Sequence, residues 1–268
     1  MNRREFLTVS AAASGLALAG CASLPSGSGR SAMYELRIYT INPGKAEDLH
    51  NRFRHHTLAL FKRHGIESVG YFMPADPADQ RLHFLLRYPG REAREASWKA
   101  FLADPEWQAA YKASEANGPI LARGPENFYL QLTDYSPLPR VGSVAGAGVF
   151  ELRSYTTPPG RLANLDARFR DHTIKLFARH GMNNYGYWHR LADQPEAEVT
   201  LQYLLTHRSQ AAAKASFSAF GQDPEWKAAR EASEKAAGGS LTIPGGVKSV
   251  FLVPTDYSPT KAPEAGRA

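Results

Sequence analysis

Two segments of the chain carry the same set of side chains that could take part in chemistry. The set is a glutamate, an arginine and a tyrosine at alternate positions, first at Glu35, Arg37 and Tyr39 and again at Glu151, Arg153 and Tyr155. Alternate residues of a β-strand point to one face, so the members of each set should lie together. A guanidinium can hold a carboxylate or enolate oxygen, a carboxylate can act as a base and a phenol can donate a proton. Each set is therefore a candidate polar floor for a small-molecule ligand.

The same side chains also suit a purely structural role. Charged residues usually survive burial by pairing with an opposite charge. We therefore favour an ion pair between Glu35 and Arg37 within the sheet, under a tyrosine lid and buried where the two copies meet, with Glu151 and Arg153 repeating it. The ligand-binding interpretation stays open beside this one.

Two histidines recur on the apolar stripes of predicted helices, at His56 and His172. A neutral imidazole between a helix and a sheet could be a general base or an axial haem ligand. The alternative is a core histidine bonded to a carbonyl. If the protein is an enzyme, the candidate catalytic residues are these histidines together with Arg37 or Arg153.

Two further tyrosines, Tyr71 and Tyr187, each follow a glycine in a predicted strand. They could line a ligand cavity, although aromatic residues in strands usually belong to the core. The sequence has no phosphate-binding loop, no Gly-x-Ser-x-Gly, no His-Glu-x-x-His and no Cys-x-x-Cys. Nucleotide enzymes, serine hydrolases of that type and common zinc sites therefore have no support, and no metal site is predicted.

These side chains sit in a sequence that is repeated once. Residues 34–40 return at 150–156, Asp-Pro-Glu-Trp at 104–107 returns at 223–226, and Thr-Asp-Tyr-Ser-Pro at 133–137 returns at 255–259. Solenoid repeats have periods of about 20–50 residues, so a period of more than 100 indicates a duplicated domain.

Each copy reads as strand, helix, strand, strand, helix, strand. In the first copy the predicted strands are 34–40, 66–73, 81–88 and 127–132, with helices over 45–64 and from 91 to about 116. In the second copy the strands are 150–156, 184–189, 199–206 and 248–253, with helices over 161–180 and 208–237. This βαββαβ order is the ferredoxin-like arrangement.

The predicted fold class is therefore α+β, with two tandem ferredoxin-like domains. Helices would cover one face of each sheet, and the bare faces would pack together into an intrachain dimeric α+β barrel. The predicted divisions are domains at 33–135 and 149–257, a linker at 136–148 and a disordered tail at 258–268.

A leader precedes the first copy. Arg3 and Arg4 followed by a short apolar stretch resemble a twin-arginine export signal, which would be removed as residues 1–20. Leu-Ala-Gly-Cys ending at Cys21 resembles a lipobox, which would make Cys21 a lipidated residue on a flexible tether over 21–32. The alternative is ordinary cleavage that leaves a free thiol. The expectation is a periplasmic or cell-envelope lipoprotein of a bacterium.

The charge pattern limits the partners. The formal net charge is +6, but the basic residues are scattered among 26 acidic ones. Nucleic-acid binding is not expected from such a distribution. The expected partners are a small-molecule ligand, the membrane through the lipid anchor and, as an open alternative, further copies of the same chain.

Four motifs in both copies support a family resemblance. They are Glu-Leu-Arg-x-Tyr-Thr, a Pro-Gly before the first helix, a His-Gly at its end, and Phe-x-x-Asp-Pro-Glu-Trp in the second helical region. With these motifs the chain resembles the NIPSNAP family over 33–135 and 149–257. The resemblance implies a dimeric α+β barrel, a group that includes small monooxygenases and haem-binding proteins. It implies no reaction, because the family has no agreed activity.

The leading hypothesis is an exported, lipid-anchored protein that binds a small aromatic or anionic ligand between helix and sheet. The alternatives are a cofactor-independent enzyme of the monooxygenase or isomerase type, a haem-binding protein and a structural dimerisation module. The sequence alone leaves open whether the protein is an enzyme and whether it binds a cofactor.

Overall fold

The structure is a computed structural model that describes residues 29–262; the leader, Cys21 and the start of the predicted tether lie outside them. The strands of the first half are β1 (Met33–Thr40), β2 (Glu67–Pro74), β3 (Arg81–Tyr88) and β4 (Glu126–Leu132). Its helical segments are α1 (Ala46–Arg52), a π-helical turn (Phe53–Thr57), α2 (Leu58–Arg63), α3 (Arg91–Ala103) and α4 (Pro105–Ser114). None of the helices in residues 29–262 is long and apolar enough to cross a membrane.

A short strand, β5 (Gly142–Ser143), lies between the halves. The second half then has β6 (Val149–Thr156), α5 (Leu162–Arg168), a second π-helical turn (Phe169–Thr173), α6 (Ile174–Arg179), β7 (Asn183–Arg190), β8 (Thr200–His207), α7 (Gln210–Gln222), α8 (Pro224–Ala236), β9 (Val247–Pro254) and β10 (Thr260–Lys261). Apart from β5, β10 and the division of the helices, the order is the predicted βαββαβ in both halves.

The eight long strands form one closed barrel in the order β1, β3, β2, β9, β6, β8, β7, β4. The halves are joined at two seams, where β2 pairs with β9 and β4 pairs with β7. Closure leaves neither four-stranded sheet with an unpaired edge. The predicted intrachain dimeric α+β barrel is therefore confirmed.

The two faces of each strand have different surroundings. In β1, Tyr34 and Leu36 belong to the apolar core inside the barrel, whereas Met33 belongs to the core under the helices. Glu35 points to the helix side, where it meets Arg94 of α3. The expectation that Glu35 and Arg37 are buried where the two copies meet was therefore wrong. Alternation in the sequence shows which residues share a face, but it does not show which face the helices cover.

A π-helical turn interrupts the first helix of each half at the same place. Thr57 Oγ1 donates to the carbonyl oxygen of Arg52, and Thr173 Oγ1 donates to that of Arg168, each at 3.1 Å. The extra residue of a π turn changes the phase of the helix. Thr57 consequently takes the buried position and His56 is exposed. The expectation that His56 lies on the buried face was wrong.

The second half differs only slightly at this turn. His172 is half-buried, and its Nδ1 is buried without a hydrogen-bond partner among residues 29–262. Thr173, like its counterpart, is fully buried. His172 therefore lies partly on the buried side of the helix, while Thr173 takes the fully buried position.

The repeated Thr-Asp-Tyr-Ser-Pro motifs cross between the halves. The backbone N–H of Thr133 donates to the Tyr187 carbonyl at 3.0 Å, and the N–H of Tyr187 donates to Ser136 Oγ at 2.9 Å. Thr255 and Ser258 make the same two bonds to Tyr71 of the first half, at 2.9 and 3.0 Å. Each motif therefore supports the sheet of the other half.

The end of the chain takes part in this arrangement. Ser258 and Thr260 are buried, and Thr260 pairs with Gly142 in the small parallel β5–β10 sheet. The expectation of a disordered tail starting at residue 258 was therefore wrong for residues 258–262. The remaining residues, 263–268, lie outside the described part of the chain.

Candidate functional site

In the first half, the predicted polar set forms a closed cluster around Glu35, which is fully buried. Its carboxylate accepts hydrogen bonds from Arg37 Nη1 at 2.7 Å, Arg94 Nη2 at 2.9 Å and Nε at 3.1 Å, Tyr88 Oη at 3.1 Å, and Trp98 Nε1 at 3.2 Å. Burial by itself raises the pKa of Glu35, but the hydrogen bond from Arg94 and the charges of Arg37 and Arg94 lower it below its ordinary value. This carboxylate is ionised and has its acceptor sites filled, so it binds its own protein.

In the second half, Glu151 accepts hydrogen bonds from Arg153 and from His207 Nε2, the latter at 2.9 Å. Burial raises the pKa of Glu151, and the hydrogen bond from His207 and the charge of Arg153 outweigh that effect and lower it. Arg153 also donates to Tyr203 Oη at 2.9 Å and to Tyr155 Oη at 3.3 Å. The hydrogen bonds that start at Glu151 and run through Arg153 therefore end at the hydroxyl of Tyr155.

Tyr155 lies at the wall of a cavity of about 140 Å³ between the helices and the sheet of the second half. We call this the helix–sheet cavity. Its other walls include side chains from the interrupted first helix of the second half (α5, the π-helical turn and α6) and from α7 and α8. Among them are Arg168, Phe169, Phe220, Trp226 and Glu234. It is a largely aromatic cavity with two guanidinium groups, Arg168 and Arg230, and one carboxylate, Glu234.

The buried guanidinium belongs to Arg168, the last residue of α5, whose side chain is only 5% exposed. It donates no hydrogen bond within residues 29–262, and its Nε and Nη1 are buried without a partner. Glu234 Oε1 is 3.8 Å from Nη1, and that oxygen instead accepts from Arg230 Nε at 3.1 Å. Burial lowers the pKa of Arg168 despite the charge of Glu234. Buried donors without an acceptor are rare in proteins, so this group lacks a partner that an anion would supply.

The same arginine in the first half is already satisfied. Arg52 Nη1 donates to Ser114 Oγ at 3.0 Å and to Glu115 Oε1 at 2.9 Å. Tyr111 stands where the second half has Arg230, and its ring centre is 5.2 Å from the Arg52 guanidinium carbon. Because no second arginine draws Glu115 away, Glu115 stays on Arg52. The two copies therefore differ in whether this buried arginine has a hydrogen-bond partner.

Several predicted site residues lie elsewhere. Tyr71 and Tyr187 are fully buried, bonded through their hydroxyls to Ser68 and Asn184, and burial raises the pKa of both well above the ordinary value. Tyr39 accepts from Arg37 Nη2 at 3.4 Å. Of the predicted residues, Tyr155 lines the helix–sheet cavity and Arg153 and Glu151 reach it through hydrogen bonds.

The histidines do not support a haem site. His56 lines an outer groove of about 280 Å³ between the first helix and α4, together with Arg52 and Ser114. Neither His56 nor His172 lines the helix–sheet cavity. Pockets that hold drug-sized molecules have volumes of at least roughly 300 Å³, and a haem is no smaller than such a molecule. The helix–sheet cavity is therefore too small for a haem. Residues 29–262 contain no cluster of three or more histidine, cysteine or acidic side chains placed to hold a metal.

Sequence reasoning missed Arg168 and Glu234 as site residues. One signal was available: an arginine recurs at positions 52 and 168 of the repeat, on the apolar side of a predicted helix. A charged residue there requires either a partner or a ligand.

The chain was compared with known proteins. A family model described as NIPSNAP matches residues 34–137 and 150–259. No curated protein matches the chain. A solved NIPSNAP-like domain protein from Burkholderia xenovorans is 27% identical over 41% of this chain and 93% of its own, with a TM-score of 0.37. A NIPSNAP family protein from Agrobacterium tumefaciens is 24% identical over 40% of this chain and 98% of its own, with a TM-score of 0.36.

A third solved structure spans both halves of the barrel. It is an anthrone oxidase-like protein, 14% identical over 85% of this chain and 92% of its own, with a TM-score of 0.55. At this identity the similarity shows the fold alone.

Proposed function

The chain belongs to the NIPSNAP family, which fixes its fold and no reaction, and from its own cavity we propose that it binds a small aromatic carboxylate between helix and sheet in its second half. The observation that carries the proposal is the Arg168 guanidinium, which is buried beside the helix–sheet cavity and donates no hydrogen bond within residues 29–262.

The charge of the ligand follows from Arg168. A guanidinium presents donors in a planar fork that matches the two oxygens of a carboxylate. Burial makes the charged arginine costly unless an acceptor reaches it. Glu234 meets this need poorly, because its nearest oxygen is 3.8 Å from Nη1 and is shared with Arg230. A bound anion would complete the site.

The size and shape of the ligand follow from the walls. Phe169, Phe220 and Trp226 line the cavity, and the indole of Trp226 lies 5.1 Å from the Arg168 guanidinium carbon. A volume of about 140 Å³ is close to the ~150 Å³ of an engineered apolar cavity that admits benzene. The cavity therefore suits a single aromatic ring with one acidic group.

The binding stoichiometry tests the proposal. Titration of the full chain with benzoate, followed by calorimetry, should show one site per chain, since Arg52 in the other half is already bonded. Benzylamine, with the same ring and the opposite charge, should not bind, and cyclohexanecarboxylate should bind more weakly. Two equivalent benzoate sites, equal binding of benzylamine or no benzoate binding at all would each contradict the proposal.

The proposal also includes export and a lipid anchor, which rest on the leader alone. Cys21 is the only cysteine of the chain, so its acylation can be tested by one substitution. In a bacterial host, the Cys21→Ser variant should move from the membrane fraction to the soluble envelope fraction and lose the mass of the lipid. A Ser28→Ala variant in the tether should stay with the membrane. A Cys21→Ser protein that still fractionates with the membrane would show that another feature holds it there.

A further inference from the structure

A second cavity lies inside the barrel, on the opposite side of the sheet from the helix–sheet cavity. It is an open basin of about 370 Å³ at one end of the barrel. We call it the barrel mouth and define it by Leu36, Leu152, His83, Gln202 and Lys248, which line it together with neighbouring residues.

The barrel mouth is built from matching positions of the two copies. Leu36 and Leu152 occupy the same place in β1 and β6, and each pairs with its neighbouring strands in the same register. The other matching pairs in the lining are Ile38 and Ser154, His83 and Gln202, Glu126 and Lys248, and Phe128 and Val250. The basin therefore lies between the halves, around their approximate twofold axis.

At four of these five pairs the chemistry differs between the copies. The first copy contributes the larger apolar side chains, Ile38 and Phe128, and the second contributes Ser154 and Lys248. The charge is reversed at one pair, where Glu126 of the first copy corresponds to Lys248 of the second. A dimer of identical chains would present the same residue twice at every such pair. Duplication within one chain has made this site two-sided, with the larger apolar side chains in one half and Lys248, which has no ion pair among the described residues, in the other.

The floor of the barrel mouth is polar and incompletely bonded. His83 is buried, its Nδ1 lies 3.2 Å from the Arg81 carbonyl, and burial lowers its pKa to about 4, so it is neutral near pH 7. Gln202 is 5% exposed and its Oε1 has no hydrogen-bond partner within residues 29–262. Below these two side chains lies a small apolar cavity of about 20 Å³, which Leu36 and Leu152 also line.

The rim of the barrel mouth has more positive than negative charge. Arg190 lies 4.6 Å from the ring centre of Phe128, and its Nε is buried without a partner among the described residues. Lys248 is exposed and forms no ion pair within residues 29–262. The acidic side chains at the rim are engaged, Glu126 by Arg123 and Glu196 by Arg190. Arg81 and Arg190 are paired as well, with Asp79 and Glu196, so the positive charge left without an ion pair is that of Lys248.

We propose that the barrel mouth binds an amphipathic organic acid, with its acidic group at Lys248 and Arg190 and its short alkyl chain against Leu36, Leu152 and Phe128. The barrel mouth is a different cavity from the helix–sheet cavity, and it shares no lining residue with it. The two-sided lining matches a molecule with one apolar and one charged end, and the partly unbonded floor marks the inner limit of the site.

Calorimetric titration of the full chain with octanoate tests this proposal, with octylammonium as the comparator of opposite charge. Octanoate should bind and octylammonium should not. Lys248→Glu, which installs the acidic residue found at the matching position of the first copy, should weaken octanoate binding at least about tenfold. Lys99→Glu makes the same charge change on an exposed residue of α3 and should leave the affinity unchanged.

The variants also separate the two cavities. Arg168→Met should leave octanoate binding intact. Three outcomes would overturn the assignment to the barrel mouth. Octanoate binding could survive Lys248→Glu, it could respond equally to Lys99→Glu, or it could be lost only in Arg168→Met. Absence of octanoate binding, or equal binding of octylammonium, would do the same. A melting curve of each variant confirms that the surface substitutions leave the fold intact.

Discussion

Replacing Arg168 with methionine is expected to weaken benzoate binding about 10- to 150-fold, because hydrogen bonds to a charged group contribute about 1.5–3 kcal/mol. Methionine keeps an apolar contact with Trp226 but has no donor for a carboxylate. The variant should be as stable as the wild type or slightly more so, since it removes a buried charge that has no hydrogen-bond partner. Calorimetry measures the affinity, and urea unfolding measures the stability.

The matched control is Arg52→Met in the first half. It should leave benzoate affinity unchanged but cost about 1–3 kcal/mol of stability, because it leaves Glu115 without the 2.9 Å bond from Arg52. Arg168→Lys should bind benzoate weakly, since an ammonium restores the charge without the planar fork. Wild-type affinity in Arg168→Met, or a loss of affinity in Arg52→Met, would show that the ligand lies elsewhere.

Removing the carboxylate of Glu35 is expected to produce the largest loss of stability among single substitutions considered in this protein. Glu35→Ala leaves the guanidinium groups of Arg37 and Arg94 without their buried counter-charge, which costs about 3–5 kcal/mol when an ion pair is broken from one side. Tyr88 and Trp98 lose an acceptor as well. Urea unfolding followed by circular dichroism measures the change.

Glu151→Ala is the internal comparator. Glu151 accepts bonds from two residues, and Arg153 keeps its bonds to Tyr203 and Tyr155 after the change, so the loss should be smaller. Equal losses for the two variants would contradict the view that the number of donors on Glu35 sets its contribution.

The contribution of Glu35 to stability should also depend on pH, in a direction that follows from its pKa shift. The pKa of Glu35 is lower in the folded protein than the ordinary value of 4.5. Its contribution to stability is therefore fully present above about pH 4.5 and is lost as the pH falls through the lower, folded value. The glutamine in Glu35→Gln cannot ionise, so the unfolding free energy of this variant should fall less steeply below about pH 4.5 than that of the wild type.

The architecture could be predicted from local sequence patterns. The repeat identified two copies, and the strand and helix periodicities placed every long strand of the barrel within a few residues. These features are local, since alternation, capping residues and glycines act on neighbouring positions. The pairing of Glu35 with Arg37 was also foreseen, because a buried charge at that spacing has few other partners.

The roles of the individual side chains, in contrast, depend on contacts made in the folded protein. The helices cover Glu35, where α3 supplies Arg94, and Thr57 is buried while His56, which was expected on the same apolar side, is exposed. A cavity lies beside Arg168, while Glu115 closes the matching site at Arg52. These outcomes depend on contacts between segments far apart in the chain. They also depend on one difference between the copies: Tyr111 of the first corresponds to Arg230 of the second, and Arg230 binds the carboxylate that would otherwise bond to Arg168. A local pattern cannot encode such competition between distant partners, so identical arginines in the two copies have different roles.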